Sequence, residues 1–441
     1  MPGRNIVVVM SDDHGQWCSG PYGNEEIQTP TLDFMAERGI RMENAFCPTP
    51  VCSPARASFA TGRRPSQHGV HDWIRIADDD GDREWLADED TIPELLGDAG
   101  YRTGLAGKWH CGHTAVPEQF DEVHSIHHSD DFEGSRFSLK RDRCVADGAV
   151  EMIDDFSSEE RPFFLFVGFA GTHGGWDGEP ERLVAQYEHS GFEDIPEDTT
   201  YRYGDGDVIR RDDPQLSLAN YYAAVQGIDE QVGRLFDTLD DAGELENTVT
   251  VYTADHGHNC GHHGIWGKGN GTVPQNMLEE SIRVPLIVGP HGGVEGRQVR
   301  EEFVDHCDLF QTLLDAAGVE PPADRAYPGQ SYWRQLSRVG GDPSWEQVQI
   351  GEYGDVRMIR TERYKLVRRY FDAPDLLFDL EHDPRETRNV IDDPAHEHVV
   401  SGLKRQLQAA FEQYSEPGNE GVSVGNLPDY NQGSEPWNRR R

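Results

Sequence analysis

Lysine is nearly missing from this chain. Only five of its 40 basic residues are Lys (108, 140, 268, 365 and 404); the rest are Arg. Positive charge is short altogether, because 80 acidic residues leave a net charge of −40. That balance excludes binding to nucleic acid or to an acidic membrane through bulk charge. An acidic excess with Arg in place of Lys points to a salt-loaded cytoplasm, where dense electrolyte screens the self-repulsion. Cysteine pairing signals are lacking too. The seven Cys (18, 47, 52, 111, 144, 260 and 307) are odd in number and show no Cys-x-x-Cys spacing. This excludes a disulfide framework and a zinc knuckle. No apolar run approaches membrane-spanning length. The first such run, Ile6-Val7-Val8-Val9-Met10, is too short for the apolar region of a secretory leader and reads as a strand. The chain as it stands is therefore expected in the cytoplasm, with no membrane or nucleic-acid partner.

What is present is an alternation of strands and helices. It argues for an α/β fold with a mostly parallel central sheet flanked by helices. Strands are predicted at 5–10, 103–107, 163–169, 248–253 and 284–288, as apolar runs without alternation, the pattern of strands covered on both faces. Helices are predicted at 30–38, capped by Thr29, at 92–99, with Thr91 and Glu94 in capping-box spacing, and at 216–241, where an apolar stripe recurs every three or four residues. Residues 189–215, acidic and aperiodic, read as a long loop. The texture changes near 346. Short strands at 348–352, 356–361 and 364–369 and a helix at 396–414 predict a small C-terminal α+β unit with an antiparallel sheet. The expected organisation is 1–345 for a catalytic unit, 346–415 for this second unit and 416–441 for an extended tail.

Residues 52–62 read Cys-Ser-Pro-Ala-Arg-Ala-Ser-Phe-Ala-Thr-Gly. Ser53 suits an N-cap, Pro54 the first helical position and Gly62 the stop. Cys52 then sits just before a helix N-terminus, where free N–H groups favour an anion, and Arg56 can reach back to it. A lone Cys is ordinarily a packing residue; this run is too specific for that reading. Four further motifs fall just past predicted strands, where open α/β sheets place their active sites. They are Ser11-Asp12-Asp13-His14, Gly107-Lys108-Trp109-His110, Thr172-His173 and Ala254-Asp255-His256-Gly257. Asp12 and Asp13 are adjacent hard-oxygen ligands for a divalent cation. Lys268 closes another run, Gly261-His262-His263-Gly264-Ile265-Trp266-Gly267-Lys268.

Together these runs, with Leu377-Phe378-Asp379-Leu380-Glu381-His382-Asp383-Pro384-Arg385-Glu386, resemble the type I sulfatases of the alkaline-phosphatase-like superfamily. The resemblance spans residues 5–390. It implies that Cys52 is converted to formylglycine by a formylglycine-generating enzyme, and that the hydrated aldehyde attacks the sulfur of a sulfate monoester. It implies a cation held by Asp12, Asp13, Asp255, His256 and the modified Cys52. Ca2+ is the family's usual ion, with Mg2+ or Mn2+ as alternatives. Arg56 would stabilise the anion and Lys108 would bind a sulfate oxygen. His110 would take a proton from the second hydroxyl of the hydrate. His173 and Lys268 would meet the bridging ester oxygen and the sulfate, although Thr-His-Gly-Gly stands where the family often shows Pro-His-x-Pro. The implied substrate is a sulfated carbohydrate or another small organic sulfate, with Trp73, Trp176 and Trp266 as candidates for stacking a sugar. Two other readings share the resemblance: a phosphonate or phosphate mono/diester hydrolase, and an inactive binding protein if Cys52 stays a thiol.

Overall fold

A computed structural model of the chain describes residues 3–75, 85–112, 118–124, 139–196, 201–206, 212–338, 342–430 and 435–440. Parts of the predicted loop 189–215 and of the tail lie outside the described residues. Eight strands form the central sheet: β1 (Asn5–Ser11), β2 (Ile40–Phe46), β3 (Arg102–Gly107), β4 (Glu122–His124), β5 (Phe163–Gly168), β6 (Thr248–Ala254), β7 (Leu286–Val288) and β8 (Gln298–Asp305). Their order is β8-β2-β7-β6-β1-β5-β3-β4. β7 runs against both its neighbours and every other pair is parallel.

The apolar run of β1 explains why this sheet is covered twice. Ile6, Val8 and Met10 point into one core, and Val7 and Val9 into another. The second core is closed by α1 (Pro30–Arg38), α3 (Leu139–Phe156) and α4 (Pro214–Asp241). The first receives α2 (Cys52–Thr61) and α5 (His306–Ala317). The strands not anticipated, β2, β4 and β8, lie toward the sheet edges and carry mixed polar and apolar residues. Among the described residues no helix is long and apolar enough to cross a membrane.

Two local expectations changed. Helix α2 begins at Cys52 rather than after it, with the extended Val51 in the cap position. The Ser53 hydroxyl is instead used by the Ile74 N–H, at 2.9 Å. Thr29 does not cap α1 with its side chain. Asp229, from the middle of α4, does so across the core, accepting from Thr31 N (3.1 Å) and Leu32 N (2.8 Å). The capping box of Thr91 and Glu94 is present.

The C-terminal strands β9 (Val348–Tyr353), β10 (Val356–Thr361), β11 (Tyr364–Arg369) and β12 (Leu376–Asp379) form an antiparallel meander. One face joins the first core through Tyr353, Met358 and Phe378; the other is covered by α6 (Glu397–Tyr414). Beyond 416 the described residues wrap back, burying Val424, Tyr430 and Trp437 in the first core. A buried ion cluster ties this sheet to the larger one. Lys365, with no exposed surface, donates to Glu279 (2.9 Å) and the Met277 carbonyl (2.8 Å) and lies in ion-pair contact with Glu386 (2.6 Å). Burial pushes Glu386 up to about 7, against the pull of Lys365. Lys365→Ala would leave Glu386 without its cation in the interior, while Glu279 keeps Arg360 at 3.2 Å, and is expected to cost about 3–5 kcal/mol in urea unfolding. A loss under about 1 kcal/mol would mean that the cluster is not a lock.

Candidate active site

The register of the sheet assembles the motifs. Met10 lies opposite Gly168, Ser11 opposite Ala254, and Gly107 opposite Gly168. The segments that follow β1, β3, β5 and β6 therefore emerge side by side at one end, carrying Asp12-Asp13, Lys108-His110, Thr172-His173 and Asp255-His256. The β3 and β5 ends approach so closely that a Cβ on Gly107 or Gly168 would collide with backbone oxygen, and Gly107 needs a φ of +90°. Helix α2 aims its N-terminus at this edge and brings Cys52 and Arg56.

Cys52 is 3% exposed, and its sulfur is the centre of the constellation. Lys268 Nζ lies 2.9 Å from Sγ, and Asp12 Oδ1 and His256 Nε2 each lie 3.5 Å away. Lys268 Nζ also contacts Asp13 Oδ1 at 2.6 Å, and Lys108 Nζ contacts Asp12 Oδ2. Arg56 donates from Nε to Asp255 Oδ2 and from Nη1 to the Lys108 carbonyl, both at 2.9 Å. Ligand atoms of Asp12, Asp13, Cys52 and His256 all lie within 4.8 Å of one another. Asp255 stands outside that set. Its Oδ1 accepts the backbone N–H groups of Asp13 (3.1 Å) and His256 (2.9 Å), which joins the two half-sites.

Charge dominates here. Burial opposes ionisation of Asp12 and Asp13, yet Lys108 and Lys268 hold both carboxyls far below the usual range. Burial and Asp12 instead push Asp255 up to about 6. Burial would discharge His256, but Asp255 and Asp13 outweigh it and push the imidazole up to about 9. Burial and Asp12 disfavour a Cys52 thiolate; Lys108 and Lys268 nevertheless draw the thiol well below its ordinary value. His110 is lowered by burial and by Lys108. Its Nε2 bonds to the Ile74 carbonyl at 2.8 Å, and its ring faces Cys52. His173 lies close enough to bias both Asp12 and Asp13.

The setting adds contacts around the motifs, several from residues outside them. Tyr221 donates to the Asp13 carbonyl at 2.7 Å, and Thr172 donates to the Asp12 carbonyl. His258 stands 3.2 Å from Asp13 Oδ2. Asn276 fixes the Lys268 carbonyl at 2.9 Å. His258, two residues past His256, had a sequence signal in the repeated His; Tyr221, inside a long apolar stripe, had none. Trp176 and Trp266 are buried and pack on each other at 5.9 Å, so they are core; Trp73 is half-buried.

Against this geometry, the chain matches the model of the sulfatase family over residues 4–319 and that of the N-sulphoglucosamine sulphohydrolase C-terminal region over 261–413. The N-acetylglucosamine-6-O-sulfatase of Bacteroides thetaiotaomicron is 26% identical, over 93% of this chain and 87% of its own. A protein solved with its substrate D-glucosamine-2-N,6-O-disulfate superposes with a TM-score of 0.80 at 24% identity, covering 95% of this chain and 99% of that one. The phosphonate monoester hydrolase of Agrobacterium radiobacter gives 0.78 at 20%, covering 93% and 96%. At such identities the two structures speak for the fold. The chain belongs to the sulfatase family. It is a type I sulfatase of the alkaline-phosphatase-like superfamily, a sulfuric ester hydrolase.

Proposed function

We propose that the protein hydrolyses the sulfate monoester of a carbohydrate, with residue 52 acting as formylglycine beside one divalent cation. The observation that carries this reading is the placement of the Cys52 sulfur at a helix N-terminus between Lys268, Asp12 and His256. The resemblance to the N-acetylglucosamine-6-O-sulfatase supports a sugar as the alcohol.

The donor set fits a hard dication. Buried Asp12 and Asp13 already draw two ammonium groups against them, which is the electrostatic demand a dication meets. Asp12, Asp13, His256 and the residue 52 side chain would hold it, and Asp255 would tie the half-sites together through backbone N–H groups. Ca2+ suits the carboxylates, and the imidazole admits Mn2+. When bound, such an ion supplies Lewis-acid polarisation of the ester and eases deprotonation of a nearby hydroxyl. The modification of Cys52 supplies that hydroxyl as an aldehyde hydrate.

The remaining work falls to unmodified side chains. Lys108 and Lys268 place positive charge where sulfate oxygens would lie. Arg56 holds Asp255 and the Lys108 backbone in place. His110, donating from Nε2 to Ile74, keeps a lone pair on Nδ1 and can take a proton from the residue 52 side chain. His173 protonates the departing alcohol.

The test pairs the mass of the peptide containing residue 52 with kcat/KM for glucosamine sulfates and for matched phosphate and phosphonate esters. A thiol in fully active protein, or a higher kcat/KM on the phosphonate, would sink the proposal. His173→Ala should cost about 10²–10⁴-fold on a sugar sulfate and far less on nitrophenyl sulfate, whose alcohol leaves unprotonated. Equal losses on both would reduce His173 to a sulfate contact and pass the acid role to Lys268.

We place the enzyme in a high-salt cytoplasm on the strength of its −40 charge. Diluting KCl from molar to ~10 mM lengthens carboxylate repulsion from ~3 Å to ~30 Å. The melting temperature is expected to fall by several degrees. A constant value across that range would refute salt adaptation and leave the sulfatase reading untouched.

A further inference from the structure

His258 belongs to none of the roles above, yet it is buried directly against a proposed cation ligand. It is 5% exposed. Its Nδ1 lies 3.2 Å from Asp13 Oδ2, within ion-pair distance but off the hydrogen-bond line, and its Nε2 has no hydrogen-bond partner among the described residues. The ring is fixed on several sides. The edge of Trp176 meets it at 5.0 Å and 90°, Tyr221 lies at 6.5 Å, and Trp17 Nε1 holds its carbonyl at 2.9 Å. Asp13 is constrained as tightly. It sits in left-handed backbone, φ 61°, with its N–H on Asp255, its carbonyl on Tyr221 and Oδ1 on Lys268. The only oxygen of Asp13 not yet assigned to a donor is Oδ2, and His258 faces it.

We infer that His258 is a positioning residue: its Nδ1, 3.2 Å from Asp13 Oδ2, comes into line as a donor when a divalent cation draws the carboxylate, and so fixes which oxygen is presented to the ion. The inference rests on the cation site proposed above. A carboxylate ligand rotates about its Cβ–Cγ bond unless its second oxygen is held, and outer partners of this kind are worth about 10–100-fold in metal affinity. Nothing else among the described contacts holds Oδ2. The packing of Trp176 and Tyr221 around the ring, rather than a long flexible side chain, makes the hold stiff.

Imidazole chemistry supplies a discriminating set of variants. Asn carries its amide nitrogen near the position of Nδ1, Gln carries it near Nε2, and Leu carries none. Full-length protein freed of metal with chelator would be titrated with Ca2+ by calorimetry, and the metal-free melting temperature recorded for each variant. His258→Leu and His258→Gln should weaken Ca2+ binding about 10–100-fold, and His258→Asn should stay within about threefold of wild type, with metal-free melting temperatures alike. Leu binding as tightly as wild type would overturn the inference. So would Asn binding as weakly as Leu, because His258 would then act through packing against Trp176. If the Leu variant does not fold, the Asn and Gln pair decides by the same criterion. Wild-type protein that gives no heat with Ca2+, Mg2+ or Mn2+ would remove the cation site itself, and His258's role with it.

Discussion

Cys52→Ala should abolish turnover, by about 10⁴- to 10⁶-fold in kcat, the scale of removing a catalytic nucleophile. The side chain lies at the meeting point of Lys268, Asp12 and His256, so no neighbour can stand in for it. The fold should barely notice. Lys108 and Lys268 keep Asp12 and Asp13 as partners, and α2 gains a good helix former at its first position. Melting within about 1 kcal/mol of wild type would separate lost chemistry from lost structure. Cys52→Ser should be equally inactive in multiple turnover, since no aldehyde forms. Activity in preparations of mixed maturation should rise in proportion to the formylglycine fraction. An Ala variant within tenfold of wild type would mean that the nucleophile is elsewhere.

Asp13→Asn should cost on the order of 10³-fold in kcat/KM, the several kcal/mol expected of a Lewis-acid site. It should also erase a second signal. Wild-type protein, chelated and then resupplied with Ca2+ at about 100 times its Kd, should gain about 2.7 kcal/mol of stability, and the variant should gain almost none. The variant keeps the volume of the side chain and its contacts with Tyr221 and Asp255, which are made by its backbone. What it loses is the charge against Lys268. Full activity after exhaustive chelation, or an unchanged Ca2+ stabilisation, would take Asp13 out of the cation site.

Much of this was legible without coordinates, for reasons that differ from residue to residue. The apolar run at β1 and the Asp-Asp pair after it are adjacent in sequence, so strand and site announce each other. Helix α4 was visible because its stripe buries Leu218, Val225, Ile228, Val232, Leu235 and Leu239 along one face. Strands β2 and β8 were not, since they are paired with each other near one edge of the sheet and need no uniform apolar run. Asp229 shows a different limit. An Asp in the middle of a helix carries no local signal that it will cap another helix across the core. The first turn of α2 shows a third. Ser53 has the right chemistry for a cap, but Ile74 claims its hydroxyl, and that contact positions the carbonyl which meets His110.

The sequence by itself determined the elements and their chemistry: apolar runs that must be buried, turns that must follow them, and a Cys at the head of a short helix. The tertiary structure decided how the separate motifs add up. Parallel pairing of β1 with β5 and β6, and of β3 with β5, converts four distant segments into one edge, because strands in register must end together. Burial then sets the charges. In water Asp12, Asp13, Lys108 and Lys268 would be ordinary ions with solvent for partners. Removed from water, they must neutralise one another, and Cys52 and His256 are drawn into that balance. That coupling depends on distance and desolvation, which only the folded chain supplies.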